Sequence, residues 1–322
     1  MDSTQQKKNQ PSARGQPRLP ITRRAGKSEL PGFRITLRDV QVVKAVYTHR
    51  ALTTPQIETL LFRPENGRQH PTKTSRCRHR LKLLFQYGIL FRDEQPTRLS
   101  EGRKPLVYFI DKGAIPLLAD AYDVFHEEID WSPRENKVTW RFLDHWLATN
   151  DVRIAIEVAV GEEGLVLQRW LDEKTLKSRE MKESVEIRSS GGRTTMATIV
   201  PDGYFKLSDG EYEYHHLLEA DRGTETVQSA KFGRRDFTRK IRGYLAYYAS
   251  GRYEAKYGAR SMRVLIVTTS RKRMANLRAL TERVGGGEQF WFTTFDEISP
   301  NTVLTEPIWE KAGHVGAHPL IW

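Results

Sequence analysis

The chain has 322 residues, 29% of them charged and 38% hydrophobic, with a net charge of +12 and one cysteine, Cys77. That length suggests two domains, and a single cysteine excludes an internal disulfide and any cysteine-based zinc site. No apolar run approaches bilayer length and the opening Met1-Asp2-Ser3-Thr4-Gln5-Gln6-Lys7-Lys8 has no signal-peptide core, so a cytoplasmic protein with no membrane partner is expected.

Residues 1–34 carry eight basic side chains against Asp2 and Glu29, with no periodic apolar positions, and read as a disordered basic arm. Residues 35–124 read as a DNA-binding domain. Thr36 caps a helix whose apolar positions are Leu37, Val40, Val43 and Val46-Tyr47, and Thr53 caps a short helix from Pro55 to Phe62. A third helix is predicted from Thr72 to Tyr87, ending at Gly88, with Cys77, Leu81, Leu84 and Phe85 inward. Its remaining positions present Lys73, Arg76, Arg78, Arg80 and Lys82. Strands at Ile89–Arg92 and Leu106–Ile110 follow, joined by a loop holding Arg103 and Lys104.

Three helices and a two-stranded ribbon is the winged helix-turn-helix order, whose third helix enters the major groove while the wing touches backbone. Ten basic residues against three acids between Gly67 and Lys104 put the charge on those two elements. Double-stranded DNA is the expected partner, contacted by the seven basic residues just named. Cys77 reads as a core residue. Dimerisation through this domain would give a homodimer on a palindromic site. Residues 125–137 read as a linker.

Residues 138–300 form the second expected domain, and 301–322 a tail with no assigned role. A long helix begins at Val138. Strands follow at Leu165–Trp170, Thr198–Leu207 and Tyr212–Asp221, the first two separated by a charged stretch from Asp172 to Arg193. A basic helix covers Asp236–Gly251, and the wholly apolar run Met262–Thr268 reads as a strand buried on both faces. A helix to Val284 and a strand at Phe290–Thr294 complete an α/β arrangement, a mixed sheet flanked by helices.

Three acids stand out in this domain. Asp202 follows Pro201 at one strand, and Glu219 and Asp221, two apart on the next, share a face because strand side chains alternate. If these strands pair around Ser208-Asp209-Gly210, Asp202 reaches that face too. Converging carboxylates suit Mg²⁺ or Mn²⁺, which could activate water and neutralise charge on a phosphate. Asp202-Gly203 read alone could equally cap a turn.

The element order, with Pro-Asp on one strand and Glu-x-Asp on the next, resembles the restriction-endonuclease-like PD-(D/E)xK fold. The whole chain from about 36 to 295 is similar to the replication-relaxation family of plasmid and mobile-element proteins. The segments that carry this are Asp144-His145-Trp146-Leu147, Asn150-Asp151-Val152, Val200-Pro201-Asp202-Gly203, Leu218-Glu219-Ala220-Asp221-Arg222-Gly223-Thr224-Glu225 and Arg239-Lys240-Ile241-Arg242-Gly243-Tyr244. The resemblance implies plasmid replication or mobilisation, with DNA processing suspected and replication or transfer proteins as further partners.

The sequence departs from the nuclease pattern at one place: the lysine of Glu-x-Lys is here Asp221. Lys240 on the following helix is the candidate substitute, with Arg239 and Arg242 behind it; a solvated DNA-facing charge is the alternative. Glu225 could join the metal site or pair with Arg234 or Arg235. His145 and Asn150-Asp151 could line the site or serve structure. Adjacent His215 and His216 face opposite ways and do not form a metal pair. The tyrosines Tyr244, Tyr247, Tyr248, Tyr253 and Tyr257 fit a core better than a covalent nucleophile. Without a Gly-rich phosphate loop, no nucleotide cofactor is expected, and Gly285-Gly286-Gly287 reads as a flexible turn. Three functions stay open: a metal-dependent nuclease or nickase using Asp202, Glu219, Asp221 and Lys240; a non-catalytic replication initiator or transcriptional regulator on a degenerate nuclease fold; or an adaptor for other replication factors.

Overall fold

Thr36 opens helix α1 (Leu37–His49) with a capping box, its hydroxyl accepting from the Asp39 N–H while Asp39 accepts from the Thr36 N–H at 2.7 Å. The computed structural model describes residues 24–26, 30–63, 71–97, 102–188, 192–223 and 236–321, with the side chains of 71–73 outside that description. These residues divide into two compact units, one within 1–50 and 64–136, the other within 51–63 and 137–322.

In the first unit α1 buries Asp39, Val42, Val43 and Val46, while Leu37, expected on the apolar stripe, is 85% exposed. Helix α3 (Pro71–Gln86) buries Cys77, Leu81, Leu84 and Phe85. It ends where Gly88 takes a φ of +71°, letting the Ile89 N–H reach the Leu84 carbonyl at 2.9 Å. Strands β2 (Leu90–Asp93) and β3 (Val107–Ile110) pair antiparallel, Leu90 opposite Ile110, and helix α4 (Ala114–Tyr122) follows. With strand β1 (Leu52–Thr53) and helix α2 (Thr54–Leu61) lying between α1 and α3 in sequence, the order is that of a winged helix.

Strand β1 and α2 group with the second unit. Their anchor is helix α5 (Trp140–Glu162). Gln56 Nε2 donates to the Leu147 carbonyl at 2.9 Å and to Asp151 at 2.7 Å, and Asn150 Nδ2 donates to the Ala51 carbonyl at 2.8 Å. Asn150 and Asp151 therefore fasten α2 and its lead-in to α5. That is a structural employment, as buried polar groups require partners.

The second unit is built on a seven-stranded sheet. In chain order its elements are β4 (Val166–Asp172), the one-turn α6 (Glu173–Leu176), β5 (Glu183–Arg188), β6 (Thr194–Ile199), β7 (Gly203–Ser208) and β8 (Glu213–Asp221). Then come α7 (Phe237–Ala249), α8 (Arg252–Tyr257), β9 (Arg263–Thr268), α9 (Arg271–Arg283), β10 (Phe290–Thr294), β11 (Trp309–Lys311) and β12 (Ala317–His318). The strand order is β12-β11-β10-β9-β8-β7-β4, with β8, β9 and β10 parallel and the remaining pairings antiparallel. Helical crossovers between the parallel strands cover one face, where Ile241, Tyr244, Met274 and Leu277 pack, and α5 covers the other with Val152, Ile156 and Ala159.

Two elements differ from the sequence expectation. The single strand expected over Thr198–Leu207 is broken at Val200-Pro201-Asp202, since Pro201 has no N–H to give a ladder. Its first half, β6, leaves the sheet and pairs with β5, a strand hidden in the charged stretch, to make a separate ribbon on α7. The segment after residue 300 joins the sheet as β11 and β12, with Trp309 fully buried.

Candidate functional site

The break before β7 places the first acid. Strand β7 pairs with β8 so that Gly203 opposes Leu218, and continuing that register puts Asp202 across from Glu219. The Asp202 N–H still bonds the Leu218 carbonyl at 2.9 Å, and its Oδ2 accepts the Ala220 N–H at 2.8 Å. Its Oδ1 lies 3.0 Å from His145 Nε2, at the start of α5. Burial alone would raise this carboxyl, but the bond to His145 and the charges of His145 and Lys240 hold it below the ordinary range. The imidazole moves the other way: burial lowers it, and the Asp202 partner lifts it above its usual value.

Glu219 sits at the centre of the sheet, 3% exposed. Lys240 Nζ on α7 donates to its Oε2 at 2.8 Å, and the buried Tyr244 hydroxyl, one turn on, donates to Oε1. Burial is the largest influence on this carboxyl and pushes it up to about 7, against the pull of Lys240 and with the push of Asp202. Lys240 therefore stands where the sequence offered it as a substitute lysine: its ammonium reaches the glutamate from the next helix.

Asp221 is on the same face but is already engaged. Arg273 of α9 forks onto it, Nη2 donating to Oδ1 at 2.8 Å and Nε to Oδ2, and the Thr268 hydroxyl donates to Oδ2 at 2.6 Å. Burial would raise Asp221, but Arg273 and Thr268 bring it below its ordinary value. Both oxygens of Asp221, expected from the sequence as a metal ligand, are thus held in this structure by a bidentate arginine from the β9–β10 crossover. Arg222 faces away and bonds Asp144 at 3.0 Å.

Asp202, Glu219, Lys240 and Tyr244 line one cleft of about 570 Å³, together with Glu173, Lys177, Lys182 and Arg239. Among the described residues, His145, Glu173 and Asp202 each offer a ligand atom with all three within 4.8 Å of one another. Carboxylate oxygens such as those of Asp202 and Glu219 are the donors that Mg²⁺ and Mn²⁺ take, and the charge of Asp202 presses on Glu219. Glu173 was missed from the sequence because it lies in the charged stretch, and no periodicity marks it.

Elsewhere the candidates scatter. Arg76 and Arg78 are exposed on α3, Lys82 is half-buried, and Arg103 on the wing is exposed, pairing with Glu94 at 2.8 Å. Lys104 is half-buried, and the Lys73 side chain lies outside the described residues. Arg80, an expected DNA contact, is half-buried and pairs with the fully buried Asp39, donating from Nε at 2.9 Å and from Nη2. His216 is buried and neutral, stacked on Phe205 at 4.5 Å. Tyr204 accompanies Tyr247, Tyr253 and Tyr257 in the core. Glu225, Arg234 and Arg235 lie outside the described residues.

Comparison with known families decides the kinship: the replication-relaxation model matches residues 43–261, more than half of the chain. The chain belongs to the replication-relaxation family. That membership places its role with the replication or relaxation of plasmids and mobile elements. No curated protein and no solved structure gives a match. The replication-relaxation span contains His145, Glu173, Asp202, Glu219 and Lys240, whereas Thr268 and Arg273, which hold Asp221, lie beyond it. Among the described residues no helix is long and apolar enough to cross a membrane.

Proposed function

We propose that this replication-relaxation protein processes DNA: the winged-helix unit binds the duplex, and the cleft of the second unit cleaves a phosphodiester bond with the help of a divalent ion. The observation that carries the reading is the meeting of Asp202, Glu219 and Lys240 in one cleft, two acids on paired strands and a lysine from the next helix. Asp202 and Glu219 would hold the ion, which when bound supplies an activated water and neutralises phosphate charge.

The chain's own residues do the rest. Lys240, which reaches Glu219 from α7 and lines the cleft, can bond a phosphate oxygen as negative charge gathers there. Tyr244 keeps a hydrogen bond on Glu219 and fixes its orientation. Lys177, Lys182 and Arg239 at the rim supply positive charge for the flanking backbone. His145 holds Asp202 in place from α5.

A second reading has its own support. Both oxygens of Glu219 accept hydrogen bonds and Asp221 is locked by Arg273, as a binding scaffold that has given up catalysis would have it. A plasmid nicking assay with Mg²⁺ and with Mn²⁺ separates the two. Nicking that disappears in Asp202→Asn and Glu219→Gln is expected; DNA binding without cleavage under either ion would leave the scaffold.

A further inference from the structure

With Asp221 withdrawn into its arginine fork, the cleft lacks the third ligand that the sequence assigned to it. The opposite side of Asp202 carries two other donors. His145 Nε2 approaches Oδ1 at 3.0 Å from α5, and Glu173 comes from α6, its only other ionic partner among the described residues being the exposed Lys177 at 2.5 Å. For an octahedral ion with bonds of about 2.1 Å, neighbouring donors lie about 3.0 Å apart and opposite ones about 4.2 Å. The three donors here all lie within 4.8 Å of one another, close to those separations.

We infer that His145, Glu173 and Asp202 form a divalent-metal site on the α5 side of the cleft, and that its imidazole donor makes it prefer first-row transition ions to Mg²⁺, with Mn²⁺ serving as the spectroscopic probe. Mg²⁺ takes oxygen donors and dehydrates reluctantly, whereas imidazole is a good ligand for the later divalent ions. The carboxylate of Asp202 is shared, Oδ1 toward His145 and Oδ2 toward the backbone of β8 next to Glu219, so an ion here lies beside the Glu219–Lys240 pair. The site draws on a long helix, a one-turn helix and the residue just before β7, and shares only Asp202 with the three acids expected from the sequence. Its catalytic meaning rests on the nuclease reading; its occupancy by metal does not.

The test uses the full chain and the metals alone. Pulsed electron paramagnetic resonance of bound Mn²⁺ should show nitrogen modulation from one imidazole in the wild type and none in His145→Gln. Calorimetric titration should show Mn²⁺ affinity falling about tenfold or more in His145→Gln and in Glu173→Gln, with a smaller loss for Mg²⁺ in the histidine variant. Wild-type protein that binds Mn²⁺ without nitrogen modulation, or that binds none, overturns the inference, as does unchanged affinity in both variants. The wild-type spectrum depends on no variant and is immune to misfolding. Nitrogen-coordinated Mn²⁺ without DNA cleavage would support this site while removing the nuclease reading; cleavage lost in Glu219→Gln, with no nitrogen in the spectrum, would do the reverse.

Discussion

Asp39 in the first unit and Glu219 in the second are both buried carboxylates facing a cation from a later helix, yet they come to rest on opposite sides of their ordinary range. Asp39 answers burial with a bidentate arginine and both the N–H and hydroxyl of Thr36, and its charge is kept. Glu219 has one ammonium and one phenol, a second carboxylate pressing on it, and a cleft in front of it, and its charge is barely held. Completeness of the hydrogen-bond shell separates them. A carboxylate with every lone pair answered is a fastening; one left short can take another positive partner.

The sharpest break in this comparison would come from removing each acid's charge in place. Glu219→Gln keeps the volume and should leave the fold intact while lowering metal-dependent nicking by about 10²-fold or more, read on supercoiled plasmid. Next in size is the fastening: Arg80→Ala strands a fully buried carboxylate and should cost about 3 kcal/mol in chemical denaturation, with Arg80→Met recovering part of it. A smaller effect is expected at an exposed neighbour on the same helix. Arg76→Ala should leave the melting temperature unchanged, weaken duplex binding for every sequence alike and reduce the salt slope by about one unit.

The smallest effect is the acid limb of stability. Asp39 is lowered from its ordinary 3.8: burial acts against it, and the bonds from Arg80 and Thr36 outweigh burial. Its contribution is therefore present above that ordinary value and is lost as pH falls through the folded one, where the unfolded chain takes up the proton first. Wild-type stability should fall more steeply than that of Asp39→Asn between about pH 4 and pH 2, in melts followed by circular dichroism. Parallel slopes would mean that the pair contributes nothing to the linkage.

The parts of the site that follow from local rules were legible in the sequence. Alternation along β8 and a hairpin at Asp209-Gly210 are enough to bring Asp202 and Glu219 together, and a helix after the strand is enough to offer Lys240. The same alternation puts Asp221 on that face, but its pairing with Arg273, 52 residues away, is announced by no local pattern. His145 was open between site and structure, since a histidine near a helix start has no periodicity to mark its partner. The β5–β6 ribbon was overlooked although Val185 and Ile187 alternate with charged neighbours, because the surrounding charge density resembled a loop. Trp309 looked like part of a tail until β11 was seen to close the sheet over it.

The excursion of residues 51–63 into the second unit has a bearing on how the protein is made and dissected. Helix α2 leaves the ribosome well before α5, the helix that satisfies Gln56 and whose Asn150 donates to the Ala51 carbonyl, so roughly eighty residues are synthesised before that anchor exists. A fragment cut at residue 136 would carry α2 without the Leu147 carbonyl and the Asp151 carboxylate that satisfy Gln56. No single cut therefore divides the chain between its two units, because residues 51–63 group with the second unit while lying between two stretches of the first in sequence.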